Sequence, residues 1–279
     1  MKNLTIFLFI IIFIYANSEE IPFMAKYIDK VTNKEVTLSS ILTKNPSNSD
    51  TILLCHGMWD TKNSKLNLFL VDGLKDKWSV LRFDFEGNGE SSGEWSYADY
   101  EREVRNIGDL IEYSEKIYNI RVVGIIGHSK AGADVLIAAS KINFIKNKEC
   151  CFVSLGGRLT FGKPEKRFTK EELAKCQEEG EFMWKLGDTF WKITKSSIDE
   201  RKNMNPKKDV KNIDEYRRKR ILHVHGTLDT STPTEEAYVI EKEIPGASIK
   251  WIHDANHSFV GKEKIMVTAV KEWLSEKLK

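Results

Sequence analysis

The sequence predicts an α/β protein with a doubly wound, mostly parallel sheet and one helical insertion. Six short apolar runs rich in β-branched residues have the length of buried strands, and helical stretches separate them. Strand and helix alternate in this way when helices cover both faces of a parallel sheet. The 279 residues fit a single domain of this class with one large core.

The N-terminal segment, residues 1–18, has the pattern of a secretory signal peptide. Lys2 provides a positive start, Leu4 to Tyr15 is an almost unbroken apolar run, and Ala16-Asn17-Ser18 supplies the small residues of a cleavage site. The run is shorter than the roughly 20 residues that span a bilayer, which favours cleavage after Ser18 over an uncleaved anchor. We therefore expect residues 19–279 to be secreted or to enter the secretory-pathway lumen, with no stable membrane span.

The elements of the mature chain follow from its apolar patterns. Two short strands are expected between Ala25 and Leu42, around the polar turn Thr32-Asn33-Lys34. The strands of the central body are predicted at Thr51–Cys55, Ser79–Phe83, Val122–Ile126, Cys151–Leu155, Ile221–Val224 and Ser248–Ile252. The helices are predicted at Ser64–Asp76, Tyr97–Tyr118, Lys130–Lys141, Thr234–Glu243 and Lys262–Leu278. Thr232-Pro233-Thr234-Glu235 indicates a helix start, because it combines a capping-box pair with a proline at the first position.

One segment, from about Gly157 to Tyr216, interrupts the alternation. It contains no convincing strand and is highly charged, yet it carries large apolar side chains: Phe161, Phe168, Phe182, Met183, Trp184, Phe190 and Trp191. We interpret residues 157–216 as a helical cap or lid over the strand ends. Two interpretations of the aromatic residues stay open: an apolar wall for a substrate, or an ordinary helical subdomain that buries them.

The charge balance of the sequence limits the classes of binding partner. Forty-three Lys and Arg residues nearly balance 41 Asp and Glu residues, for a formal charge of +2, so no general attraction for nucleic acid or an anionic membrane is expected. A small molecule is the expected partner.

The four cysteines are too few for a disulfide scaffold; Cys55, Cys150 and Cys151 are expected in the core, and the pairing of Cys176 stays open. No metal-ligand spacing is present.

The segment Gly127-His128-Ser129-Lys130-Ala131-Gly132 follows a predicted strand and opens a predicted helix. This is the setting of a nucleophile elbow, in which a sharp turn projects a serine hydroxyl above the sheet. The following helix directs its positive end towards the reacting centre. A serine at this position could instead be a simple helix cap.

A serine hydroxyl is a poor nucleophile near neutral pH, so it needs a base, and the base needs an orienting acceptor. Asp229 follows the strand that ends at Val224, and His257 follows the strand that ends at Ile252. Ser129, Asp229 and His257 therefore form a candidate catalytic triad. A turn-capping role is the alternative for Asp229, and Asp254 is its main competitor as the acid.

His257 is preferred among the six histidines because of its position. The sequence places His56 and His128 beside glycines in tight turns, and His223 and His225 flank a strand end and have a structural pattern. His253 projects from a strand into its loop.

An oxyanion hole requires two backbone N–H donors directed at the developing negative charge. Lys130 follows the proposed nucleophile and is the first candidate. Met58 is the second, because His56-Gly57-Met58 follows the strand that ends at Cys55. An ordinary turn is the alternative interpretation of His56-Gly57.

Five segments in register resemble the α/β-hydrolase superfamily, in particular its cinnamoyl and feruloyl esterases and its serine aminopeptidase-like and monoacylglycerol lipase-like hydrolases. They are Cys55-His56-Gly57-Met58, Arg82-Phe83-Asp84-Phe85-Glu86-Gly87-Asn88-Gly89-Glu90-Ser91, Gly127-His128-Ser129-Lys130, Gly226-Thr227-Leu228-Asp229 and Asn256-His257-Ser258-Phe259. The resemblance implies that Asp84 and Ser91 support a loop beside the active site. Ala131 departs from the pattern, which has a glycine there, and Met58 replaces a common aromatic residue.

The resemblance implies a two-step acyl transfer that needs no cofactor. The expected substrate is a carboxylic ester, of cinnamoyl type or with a short acyl group. A lipase or lysophospholipase acting on monoacyl lipids is the nearest alternative, followed by a peptidase. A binding protein that keeps the fold without turnover is a further alternative, but no triad residue is missing.

Asn256-His257-Ser258 also fits the glycosylation sequon Asn-x-Ser. A glycan on Asn256 would crowd the proposed base. We expect the site to stay unmodified because the loop is expected to fold inward.

Overall fold

The computed structural model describes residues 19–141, 147, 149–161 and 167–279. The predicted signal peptide, residues 1–18, lies outside the described residues. Within the described ranges, no helix is both long enough and apolar enough to cross a membrane.

An eight-stranded sheet forms the centre of the protein and confirms the predicted fold class. Its strands are β1 (Glu19–Ile28), β2 (Glu35–Lys44), β3 (Asp50–Cys55), β4 (Ser79–Phe83), β5 (Arg121–His128), β6 (Cys151–Leu155), β9 (Ile221–Gly226) and β10 (Ser248–Ile252). They lie in the order β1-β2-β4-β3-β5-β6-β9-β10. All neighbouring strands from β4 to β10 pair in parallel. Strand β2 pairs antiparallel with both β1 and β4.

Helices cover both faces of this sheet. They are α1 (Lys65–Leu74), α2 (Tyr100–Tyr118), α3 (Lys130–Ser140), α8 (Glu235–Glu243) and α9 (Glu263–Lys277). Apolar side chains of α1 and α9 share one buried cluster with the sheet, whereas those of α2, α3 and α8 belong to another. These two clusters make the core, and they leave the carboxyl ends of the parallel strands at one edge.

The insertion is not purely helical, which corrects the prediction for residues 157–216. It contains the helices α4 (Lys170–Glu179), α5 (Lys195–Asn203), α6 (Pro206–Val210) and α7 (Glu215–Arg218), and also the strands β7 (Glu181–Leu186) and β8 (Thr189–Thr194). The two strands pair antiparallel as a hairpin. Because side chains alternate between the faces of a strand, Phe182 is buried while Met183 is 54% exposed.

The aromatic residues of the insertion divide between the two interpretations. Phe168 and Phe182 pack with Ile193 and Ile198 of the insertion in a small buried cluster that also includes Tyr97 of the main body. Trp184 and Trp191 instead lie against Trp59 of the main body, with ring centroids 5.0 and 6.1 Å from that ring. The insertion thus buries some of its own aromatic side chains and presents others at the strand ends.

Two further details differ from, or complete, the sequence predictions. Helix α8 begins at Glu235, and the N-cap residue Thr234 makes no side-chain capping bond, so the predicted capping box at Thr232 is wrong. The side chain of Glu236 instead accepts hydrogen bonds from the backbone of the insertion.

All four cysteines are buried and unpaired: Cys55, Cys150, Cys151 and Cys176.

Candidate active site

Four loops meet at the carboxyl edge of the parallel strands. The residues that end or follow β3, β5, β9 and β10 carry Met58, Ser129, Asp229 and His257. Parallel strands bring their carboxyl ends to one edge, and open α/β sheets commonly place their sites there. The structure brings together all the residues that the sequence singled out for the site.

Ser129 occupies a strained turn between β5 and α3. Its backbone has φ 58° and ψ −112°, a conformation that non-glycine residues seldom adopt. Its N–H donates to the carbonyl of Leu155 at 2.8 Å, which ties the turn to β6. Although Ser129 is the N-cap of α3, its side chain makes no capping hydrogen bond within the described chain, so the simple cap interpretation is not supported.

Close backbone contacts explain the small residues around the turn. A Cβ added to Gly127 would lie 2.2 Å from the carbonyl oxygen of Ala131, and one added to Gly132 would lie 2.8 Å from Cα of Gly157. Neither position has room for a side chain. Ala131 itself is fully buried, so its methyl group fits where the related pattern has glycine.

His257 contacts both of the other candidate triad residues. Its Nε2 lies 2.8 Å from Oγ of Ser129, and its Nδ1 lies 2.7 Å from Oδ2 of Asp229. If Nδ1 carries the proton and donates to the carboxylate, Nε2 is free to accept the serine proton. The geometry therefore matches nucleophile, base and orienting acid.

Asp229 makes the contacts of both roles that the sequence left open, those of a turn cap and those of a triad acid. Its Oδ1 accepts the N–H groups of Ser231 and Thr232 at 2.9 and 2.8 Å, while Oδ2 faces His257. Burial raises the pKa of Asp229, but the hydrogen bond and charge of His257, the N–H of Thr232 and the charge of His225 together outweigh that effect, and the pKa lies below its ordinary value. The carboxylate is thus held ionised in a fixed orientation.

Asp254, the competing acid, is excluded by its position. Its side chain is 57% exposed and contacts His253 at 3.0 Å, away from the imidazole of His257.

The histidines other than His257 that lie in the interior have hydrogen-bond roles of their own. Nε2 of His56 accepts the N–H of Phe85 at 3.1 Å, and His128 bonds the carbonyl of His257 at 2.9 Å. His223 and His225 bond one another at 2.9 Å. Burial lowers the pKa of His128 to about 4 and that of His223 to about 3, so both are neutral near pH 7.

The two candidate oxyanion donors border the same cavity as Ser129. Met58 and Lys130 line it, and neither backbone N–H has an acceptor within the part of the chain that the structure describes. Free N–H groups beside the nucleophile are what a developing oxyanion requires.

The cavity that contains Ser129 and His257 has a volume of about 330 Å³. This volume is at the lower end of the usual range for small-molecule sites. Its wall contains Met58 and Trp59, and Trp59 continues into an aromatic group formed with Trp95, Trp184 and Trp191. Among the described residues, no group of acidic, histidine or cysteine side chains has a geometry that could hold a metal ion.

Three arginines at the cavity were not predicted: Arg158, Arg167 and Arg201. Arg158 lies three residues after the end of β6, so the rule that strand ends line the site could have found it. Arg167 and Arg201 come from the insertion, where no local pattern distinguishes them from the other charged residues. Gly156 was also missed; a Cβ on it would lie 3.3 Å from Nδ1 of His257.

The predicted inward fold of the sequon loop is wrong for Asn256. Its side chain is exposed, and its Oδ1 accepts the N–H of Val260 at 3.0 Å. The buried neighbours are Ala255 and Phe259, which hold the loop on either side. The reason given for an unmodified site therefore does not hold.

Comparison with known proteins agrees with this architecture. A family model described as the alpha/beta hydrolase fold matches residues 50–159, which include β3 to β6 and the turn at Ser129. The resemblance to α/β hydrolases is therefore confirmed, and the protein has the α/β-hydrolase fold. A search of curated proteins found no significant match.

Several solved structures share the fold across nearly the whole chain. Est1E from Butyrivibrio proteoclasticus, solved with ferulic acid bound, has a TM-score of 0.69 and 21% identity, with 90% of this chain and 98% of that chain covered. DcsB in complex with its substrate analogue has a TM-score of 0.73 and 17% identity, with 93% and 99% covered. The esterase Pf2001 from Pyrococcus furiosus has a TM-score of 0.67 and 16% identity, with 93% of each chain covered. Because all three identities lie below 25%, these matches show a shared fold.

Proposed function

We propose that the protein is a serine hydrolase that cleaves carboxylic esters through an acyl-enzyme intermediate. The observation that carries the proposal is the position of one imidazole: His257 lies within hydrogen-bond distance of both Ser129 and Asp229. Three distant segments of the chain would have no structural need to converge in this way.

The geometry supports the following sequence of steps. Oγ of Ser129 attacks the ester carbonyl while Nε2 of His257 takes its proton, and Asp229 stabilises the resulting imidazolium. Collapse of the tetrahedral intermediate breaks the bond to the alcohol, which leaves with the proton from His257. Water then attacks the acyl-enzyme with His257 again as base, and the acid is released.

The N–H groups of Met58 and Lys130 would stabilise the negative oxygen in both tetrahedral intermediates. Removing one such donor typically lowers kcat by about 10²- to 10³-fold. The positive end of α3 adds to this effect, because Lys130 is its first residue.

The aromatic wall of the cavity favours an aromatic acyl group of cinnamoyl type. Trp59 lines the cavity, and Trp95 and Trp191 lie 6.1 Å from it, centroid to centroid. Indole rings provide flat apolar surfaces on which an aromatic acid can stack. The bound ferulic acid in Est1E is consistent with this preference.

A monoacyl-lipid hydrolase, such as a monoacylglycerol lipase or lysophospholipase, is the second candidate. The hairpin of the insertion exposes three large apolar side chains, Met183, Leu186 and Phe190, by 54%, 41% and 57%. Such a surface could contact an acyl chain or a lipid aggregate. A series of p-nitrophenyl esters of increasing chain length, beside methyl ferulate, separates the two candidates.

Labelling with a fluorophosphonate probe tests the serine mechanism. We expect the wild-type protein to be labelled at Ser129 and the Ser129→Ala variant to lose both the label and ester hydrolysis. Ser196→Ala is the matched control, because Ser196 is exposed on α5 and outside the cavity. Equal labelling of Ser129→Ala and wild type would refute the proposal.

We also propose that the chain enters the secretory pathway. The support is the apolar run Leu4 to Tyr15 with small residues behind it. N-terminal sequencing of protein recovered from the culture medium should begin at Glu19. Recovery of the full-length chain from the cell interior alone would contradict this expectation.

A further inference from the structure

Three guanidinium groups converge on the space above Ser129. Arg158, Arg167 and Arg201 line the cavity that contains Ser129, and the same three line an adjoining cavity of about 360 Å³. The two cavities also share Ser231. The shared lining concentrates positive charge between the two cavities, beside the proposed nucleophile.

Arg201 has the most unusual environment of the three. Arg201 is only 6% exposed, yet no carboxylate lies within ion-pair distance of it among the described residues. Within the described chain its guanidinium group makes one hydrogen bond, from Nη1 to the hydroxyl of Tyr100 at 2.7 Å. Its buried Nε has no acceptor there. A buried charge normally has a charged partner, because loss of hydration is costly.

Aromatic rings hold Arg201 in place without neutralising it. Its guanidinium carbon lies 4.8 Å from the ring centroid of Tyr97 and 4.7 Å from that of Phe161. Cation–π contacts of this kind offset part of the cost of burial and restrict the side chain. The guanidinium is therefore fixed beside the cavity before any ligand arrives.

Arg158 and Arg167 likewise lack an acidic partner at contact distance in the described ranges. Arg158 donates to the carbonyl of Ser231 and, at 3.0 Å, to the hydroxyl of Thr232. Burial lowers the pKa of Arg158, and the positive charge of Arg201 lowers it further. Arg167 packs over Trp59, with 5.1 Å between its guanidinium carbon and the ring centroid.

The acidic groups on the cavity walls have other partners. Oε2 of Glu236 accepts the N–H groups of Leu159 and Thr160 at 2.9 and 3.1 Å. Oδ1 of Asp60 accepts the N–H of Thr61 at 2.9 Å. Glu236 is close enough to Arg158 for their charges to interact, but in the described chain neither carboxylate forms an ion pair with an arginine. Within the described ranges, no acidic side chain therefore forms an ion pair with the three guanidinium groups.

We propose that this arginine cluster binds an oxyanion, a carboxylate or a phosphate group, carried by the substrate of the proposed ester hydrolase. The inference rests on the proposed function, since the cluster selects substrates for Ser129. An oxyanion would supply an acceptor for Nε of Arg201, which has none among the described residues, and would reduce the repulsion among three like charges. Planar guanidinium groups bind carboxylate and phosphate oxygens with two parallel hydrogen bonds.

Two matched pairs of esters test the proposal and separate the two sources of the oxyanion. The first pair is p-nitrophenyl hydrogen adipate and its methyl ester, which differ by one carboxylate. The second pair is a monoacylglycerol phosphate and the corresponding monoacylglycerol. We expect the anionic member of at least one pair to have a kcat/KM at least tenfold higher, and the pair that shows this preference identifies the group. A ratio of one or below in both pairs would overturn the proposal.

Substitution of the arginines tests whether the cluster causes that preference. In Arg201→Met and Arg167→Gln, the ratio of kcat/KM between the anionic and neutral esters should fall roughly 10- to 100-fold, as expected for loss of a charge-assisted hydrogen bond. Arg167 is exposed, so its variant should fold even if Arg201→Met does not. Arg121→Gln is the control, because Arg121 is 63% exposed at the opposite end of β5 and pairs with Asp50. An anionic preference that no variant of the cluster reduces would refute the assignment to these arginines.

A binding measurement keeps this inference separate from the proposed function. Calorimetric titration of the Ser129→Ala protein with monomethyl adipate, inorganic phosphate and dimethyl adipate requires no turnover. Binding of an anion that is lost in Arg167→Gln supports the arginine site even if fluorophosphonate labelling shows no active serine. Absence of anion binding in a protein that is labelled at Ser129 and hydrolyses neutral esters would reject the arginine site alone.

Discussion

Lys130 and Glu103 form a buried ion pair beneath the turn that carries Ser129, with 2.6 Å between Nζ and Oε1. The side chains are 3% and 8% exposed, and the ammonium also lies 4.8 Å from the ring centroid of Tyr100. The pair joins the first turn of α3 to α2. Lys130 thus contributes twice to this region: its backbone faces the cavity, and its side chain fastens the turn from below.

Breaking this pair from one side should strongly destabilise the protein. Lys130→Met leaves the Glu103 carboxylate buried without a cation, at a cost of about 3–5 kcal/mol in the free energy of unfolding. Lys130→Met combined with Glu103→Leu should recover most of that loss, because no isolated charge remains. Urea denaturation of the single and double variants measures both quantities. Additive losses in the double variant would contradict this account.

Asp229→Asn should replace the carboxylate oxygen that accepts the hydrogen bond from His257, while keeping a side chain of the same size and shape at position 229. We expect kcat on p-nitrophenyl acetate to fall by about 10⁴-fold, as in other triads that lose the carboxylate. Asp254→Asn is the matched control, because that exposed side chain contacts His253 and not His257. If the two variants lost activity equally, Asp229 would not be the orienting acid.

Gly127→Ala should disrupt the nucleophile turn, since the added Cβ would lie 2.2 Å from the carbonyl oxygen of Ala131. Backbone cannot move aside cheaply at a buried turn, so we expect a loss of about 3 kcal/mol or more in the free energy of unfolding. Gly187→Ala provides the comparison: its φ is +59°, but no atom lies within 4 Å of the added Cβ. That variant should lose only about 1–2 kcal/mol, the cost of the left-handed backbone conformation. Thermal and urea unfolding would show the difference.

The buried histidines should make the protein sensitive to acid. Burial holds the folded-state pKa of His128 at about 4 and that of His223 at about 3, both below the ordinary histidine value of 6.5. As the pH falls below about 6.5, the unfolded chain takes up protons that the folded chain excludes, so the free energy of unfolding decreases. This loss continues until the pH reaches the folded-state pKa values.

The contribution of His223 can be isolated by substitution. Between pH 6 and pH 4, His223→Gln should lower the slope of unfolding free energy against pH by up to about 1.4 kcal/mol per pH unit. His253→Gln, at an 87% exposed side chain, should leave the slope unchanged. Urea denaturation at a series of pH values gives the slopes, and identical slopes in all three proteins would disprove the role of His223.

Much of the fold could be predicted because the strands of a parallel sheet are apolar on both faces. β4, β6 and β10 begin and end at the predicted residues. The hairpin β7–β8 was missed although Gly187-Asp188 is a two-residue turn of the kind that joins antiparallel strands. The hairpin covers only a small core, so charged residues stand on its exposed face. They weaken the alternation of apolar and polar residues by which a strand is predicted.

The convergence of the three candidate triad residues could be predicted because each follows a strand in a fixed chain order. Ser129, Asp229 and His257 are close in space as a consequence of sheet topology, which the alternation of strand and helix already implies. The arginine cluster could not be predicted in the same way. Arg167 and Arg201 reach the cavity through the packing of the insertion, and that packing depends on contacts between residues far apart in the chain.

The unpaired cysteines provide two separate reporters of how the protein opens. Cys55, Cys150 and Cys151 are 1% exposed or less within the main body, whereas Cys176 is 2% exposed and packs inside the insertion. Thiol reagents reach such groups only when the surrounding structure separates. The rate at which Cys176 is alkylated therefore follows opening of the core of the insertion, whereas alkylation of the other three follows unfolding of the sheet. Peptide mapping can time the two events independently.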